Sequence, residues 1–76
     1  MPAADDVRAA RRERFGRRLR ELRSAQGLTQ EQVALAAGMD RAFYVDLENA
    51  RHGVLVDRLD DIAGALGVSR AELVTY

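Results

Sequence analysis

The chain has 76 residues, no Cys, 47% hydrophobic residues, and twelve basic against twelve acidic side chains, for a formal net charge of zero. That length suits one small domain able to bury roughly 60% of its unfolded surface, and the lack of Cys excludes disulfides and thiolate metal sites. Apolar runs such as Val54-Leu55-Val56 are far too short to cross a bilayer, and the opening Met-Pro-Ala-Ala-Asp-Asp is no signal peptide, so a soluble, cytoplasmic chain is expected.

The charge is unevenly spread. Residues 1–28 hold eight Arg against four acids, whereas 29–56 and 57–76 each carry two Arg against four acids. An Arg-rich run is either a solvated helix face or a phosphate-binding surface. Residues 1–9 read as a flexible or loosely helical tail, with 10–76 as the single domain; Asp5 or Asp6 offers a cap for a helix starting as early as Val7. Phe15, Leu19 and Leu22 then recur at i, i+4, i+7, the apolar stripe of a first helix that Gly27 ends. Gly16 costs about 1 kcal/mol relative to Ala in a helix interior, which close approach of another helix would justify.

Thr29 with Gln32 forms a capping box, so a second helix starts at Gln30; Val33, Ala34 and Ala37 give it an apolar side. Gly38 stands where a helix end requires positive φ, and Asp40 is placed to cap a third helix to about Glu48, with Tyr44 and Leu47 facing inward. Asn49 and Gly53 offer left-handed backbone positions in the connection that follows. Leu59, Ile62, Ala63 and Leu66 repeat at i, i+3, i+4, i+7 in a fourth helix stopped by Gly67, with Val68 placed for the accompanying apolar contact. Ser69 and Glu72 form a second capping box that launches a fifth helix carrying Leu73 and Val74. The expected fold is therefore all-α, with five helices and no strand.

Catalysis has little to work with: His52 is the one His, Ser24 and Ser69 the only Ser, and no nucleophile–base pair, metal-ligand cluster or phosphate-cradling loop emerges. Neither an enzyme nor a cofactor is expected, nor a small-molecule ligand or a membrane partner.

Counting from Gln30, Ala falls at the fifth position, Gly at the ninth, and large apolar residues at the tenth, fifteenth and eighteenth (Met39, Tyr44, Leu47). This spacing resembles a helix-turn-helix of the lambda-repressor-like, Cro/repressor type at about 30–48. Phe15 to Arg23, Gly27 to Glu31, Glu48-Asn49 and Ile62 to Ser69 look like the same family's flanking pieces, so the resemblance runs from about Arg14 to Val74. Asp40 to Tyr44, followed by Leu47-Glu48, is similar to a segment of small restriction-modification controller proteins. Tyr44 is larger than the usual β-branched aliphatic, and Ala50 replaces a common Gly.

The resemblance implies a transcriptional regulator of double-stranded DNA, with the third helix in the major groove. Base contacts would come from Arg41, Ala42, Phe43, Val45 and Asp46, with Arg41 suited to guanine. Phosphate contacts would come from Thr29, Gln30, Asn49, Arg51 and His52. Bland alternatives stand beside these: Gln30 as an ordinary first-turn residue, Arg41 paired with Asp40 or Asp46, Asp46 paired with Arg41 or Arg51, His52 merely exposed, and Phe43 and Val45 as core. Glu48 is expected to brace an Arg of the first helix, Arg17 or Arg20. Val54, Leu55, Val56, Leu73, Val74 and Tyr76 offer apolar surface for a homodimer on a pseudo-palindromic site. The competing class is a protein-interaction module, an antitoxin or adaptor, which Phe43, Val45 and Asp46 would favour.

Overall fold

The computed structural model describes residues 3–76. It contains α1 (Ala4–Ala25), α2 (Gln30–Ala36), α3 (Arg41–Glu48), α4 (Val56–Leu66) and α5 (Arg70–Leu73), with no strand among the described residues. The expected five-helix, all-α architecture is the one observed.

Each helix contributes its apolar stripe to one core. Phe15 and Leu19 come from α1, Val33 and Ala34 from α2, Tyr44 and Leu47 from α3, Ile62, Ala63 and Leu66 from α4, and Leu73 from α5. α1 packs on α3, and α2 packs on both α3 and α4. Gly16 supplies the expected close approach: a Cβ there would stand 2.5 Å from the Glu48 carbonyl oxygen and 2.8 Å from that of Leu47. The end of α3 therefore rests directly on the backbone of α1.

Four of the helices stop in the same way. Gly27, Gly38, Ala50 and Gly67 take φ near +67°, +67°, +62° and +69°. The amide of the following residue then reaches back five positions, as in Met39 N–H to the Ala34 carbonyl at 3.0 Å and Arg51 N–H to that of Asp46 at 2.9 Å. Both capping boxes form, Thr29 with Gln32 and Ser69 with Glu72.

Several expectations need correction. α1 begins at Ala4, ahead of the earliest start expected at Val7, so residues 4–9 take the helical of the two forms expected for the tail; Met1 and Pro2 lie outside the described residues. Ala3 occupies the N-cap, which places Asp5 and Asp6 in the first turn, where carboxylates favour the positive helix end, and not at the cap. Asp40 has the extended backbone of an N-cap but makes no capping hydrogen bond. Asn49 keeps φ at −90°; the left-handed residue is Ala50, one position later. Leu73, expected at a dimer surface, is fully buried, because the short α5 folds its only large apolar residue into the core.

Candidate nucleic-acid interface

α3 is eight residues long, enough for two turns, and its inner side is fixed by Tyr44 and Leu47, both fully buried. Arg41 and Ala42 are left exposed on the first turn, and Arg41 makes no ion pair with Asp40 or Asp46. Phe43, Val45 and Asp46 are half-buried along its flanks. Phe43 packs against the edge of the core and stacks on His52 with ring centroids 5.7 Å apart. Asp46 faces Arg51 at 3.5 Å and His52 at 3.6 Å, so its carboxylate serves the loop after α3. Of the five residues expected outside α3, the structure leaves only Arg41 and Ala42 fully open.

Behind α3 lies the only buried charge among the described residues. The Glu48 carboxylate accepts from Arg23 Nε at 2.6 Å and Nη2 at 2.9 Å, and from Gln30 Nε2 at 3.1 Å. Arg23 also donates to the Leu28 carbonyl at 3.0 Å. The expected brace on Glu48 is thus present, but its principal partner is Arg23; Arg20 stands farther off, at 3.7 Å. Gly16, Leu19 and Arg23 share one face of α1 at i, i+3, i+7, and this stripe is the sequence signal that points to Arg23. Burial raises the Glu48 pKa, but the bonds from Arg23 and Gln30 outweigh it and hold the carboxyl below its usual range. The Tyr44 hydroxyl lies buried beside the pair without completing a hydrogen bond, and burial, reinforced by the Glu48 charge, pushes its pKa well above the ordinary phenol value.

The expected phosphate contacts fall into two groups. Thr29 accepts from the Gln32 amide at the start of α2, and the Gln30 side chain, tied to Glu48, holds that same helix end against α3. Asn49, Arg51 and His52 occupy the exposed segment after α3, where Asn49 Oδ1 accepts from Arg20 at 3.4 Å.

Comparison with known proteins settles the family. Residues 14–75 match the model described as a helix-turn-helix domain. The chain belongs to this helix-turn-helix family. It is 41% identical over 64 residues to the uncharacterized HTH-type transcriptional regulator y4dJ of Sinorhizobium fredii, an alignment covering 84% of this chain and 83% of that one. It is 36% identical over 61 residues to the control protein C.MunI of a Mycoplasma species, covering 79% and 82%. Among solved structures, the restriction-modification controller protein C.AhdI of Aeromonas hydrophila superposes with a TM-score of 0.82 at 39% identity, covering 84% of this chain and 97% of that one. The helix-turn-helix protein described here is accordingly a DNA-binding transcriptional regulator and not an enzyme. No helix among its described residues is long and apolar enough to cross a membrane.

Proposed function

We propose that this regulator works in the cytoplasm as a homodimer on a pseudo-palindromic operator, with α3 of each copy in the major groove, and that it controls its own operon as a controller-type protein. The carrying observation is the contrast within α3: Tyr44 and Leu47 are fully buried, while Arg41 stands exposed and unpaired among the described residues, at the first turn. A guanidinium so placed bonds guanine O6 and N7 together, worth about 1–3 kcal/mol of discrimination. Ala42 lies beside it, small enough to admit a base edge or thymine methyl. Thr29, Gln30, Asn49, Arg51 and His52 hold the backbone on either side.

Phe43, Val45 and Asp46 act mainly within the protein on this reading, since each is half-buried and Asp46 already faces Arg51 and His52. That removes the three residues that favoured a protein-interaction module binding through the acidic half of the chain. Leu55, Val56, Val74 and Tyr76 remain exposed, with Val54 half-buried beside them, and supply the dimer surface. A two-fold pair places the two reading helices about 34–36 Å apart.

The test is selection from random duplex DNA followed by titration of Arg41→Ala. Recovery of a palindromic site at which Arg41→Ala relaxes one base position per half-site, by about 10-fold to 100-fold in preference, supports the reading. Retention of no duplex at low salt overturns it.

A further inference from the structure

The family match begins at residue 14, whereas α1 begins at Ala4. The intervening ten residues add about 15 Å of helix at 1.5 Å per residue, beyond Phe15, the first core member of α1. From Arg11 to Arg20 the helix holds six Arg and a single acid, Glu13. Arg18 is committed to the Glu72 carbonyl at 2.8 Å, and Arg20 leans toward Glu48 and Asn49. Arg11, Arg12, Arg14 and Arg17 make no hydrogen bond or ion pair among the described residues, and all four are exposed.

The segment after α3 runs antiparallel along this helix. Asn49 meets Arg20, the Glu48 carbonyl meets Gly16, and a Cβ on Gly53 would stand 3.5 Å from Arg12 Nε. Arg11 and Arg12 line one rim of a groove with His52 and Gly53, whose apolar floor is Phe15, Val54, Leu59, Val74 and Tyr76. The unpaired guanidiniums therefore continue the line of Asn49, Arg51 and His52.

We propose that the overhanging turns of α1 are a second backbone-binding element, in which Arg11 and Arg12 take phosphates of duplex DNA flanking the half-site. The proposal rests on the operator reading above, through the placement of Asn49, Arg51 and His52 at the backbone. Phosphodiesters fit better than an acidic protein because the guanidiniums extend the segment of Asn49, Arg51 and His52 proposed above to contact the DNA backbone. The contact is blind to sequence, since these side chains lie outside the reading helix.

The test uses the whole chain and fluorescence anisotropy on two duplexes, the selected operator with long flanks and the same operator trimmed to its half-sites. With long flanks, Arg11→Ala/Arg12→Ala lowers the slope of log K against log salt by about 0.9 for each lost phosphate, so by up to about 3.6 when both copies of a dimer lose both contacts. Operator and random duplex are weakened by the same factor, the trimmed duplex shows no difference, and Arg11→Lys/Arg12→Lys keeps the wild-type slope. Ala and Arg are both good helix formers, so the fold is retained, which circular dichroism checks. An unchanged slope overturns this proposal and leaves the Arg41 result standing. Sedimentation of the Ala variant as a monomer where wild type is a dimer also overturns it, assigning the Arg pair to a second copy. If wild type binds no duplex, both readings fall.

Discussion

Glu48 brings three helices to one carboxylate, accepting from Arg23 of α1 and Gln30 of α2 at the last turn of α3. A buried carboxylate is tolerable only with such partners, and removing one side of a buried pair costs about 3–5 kcal/mol. Because Arg23 keeps some exposure, Glu48→Gln is expected near the low end, a loss of about 3 kcal/mol at pH 7 in urea unfolding. The pH dependence has a definite sign. With its folded pKa below the ordinary 4.5, Glu48 contributes fully above that value and progressively less as pH falls beneath it. Wild type should therefore lose stability below about pH 4.5 more steeply than Glu48→Gln; parallel acid titrations of the two would refute this account. The brace was legible in the sequence, but its partner was not, because periodicity gives the face of an Arg and not how deep its long side chain reaches. Arg41 and Ala42 were legible as outward residues. Phe43, Val45 and Asp46 were less so, since two turns of helix leave flanks that are neither core nor open surface.

Between elements, the crossing of α1 and α3 is set by what Gly16 lacks. Gly16→Ala gains helix propensity of about 1 kcal/mol, yet its methyl meets the carbonyl oxygens of Glu48 and Leu47 at 2.5 and 2.8 Å. Neither is a flexible side-chain end, so the helices must separate. The expected net effect is a destabilisation of about 1–3 kcal/mol, the usual range for overpacking, measured by thermal or urea unfolding. A stability equal to or above wild type would mean the crossing adapts freely. Helix ends marked by Gly27, Gly38 and Gly67 could be read directly from sequence. The end of α3 could not, since Ala50 adopts a conformation that L-residues avoid by roughly 1–2 kcal/mol, and the Asn one residue earlier is the more usual occupant. The start of α1 was hidden for a different reason. Residues 4–13 contribute nothing to the buried core, so a periodicity search has little to register there, even though Ala, Arg and Glu are all good helix formers.

For the whole molecule, the surface left bare by the core decides assembly. Leu55 and Val56 are 72% and 71% exposed, adjacent in the chain, and with Leu35 at 80% they are the barest large apolar residues. Neither supports the core, so Leu55→Ser/Val56→Ser should leave unfolding of the monomer little changed while shifting the proposed dimer to monomer at tens of micromolar, followed by sedimentation. Wild type already monomeric at that concentration would remove this surface from the account. The charge pattern reaches further. α1 carries the cationic edge, while Asp57, Asp60 and Asp61 line exposed positions of α4, Asp60 paired with Arg70 and Asp61 with Arg58, and the total is zero. A neutral but polarised body feels little long-range pull toward nucleic acid in general; at close range it feels a torque that turns one edge in and the other away. For a regulator that meets an operator as proposed above, encounter is then governed by orientation as much as by attraction.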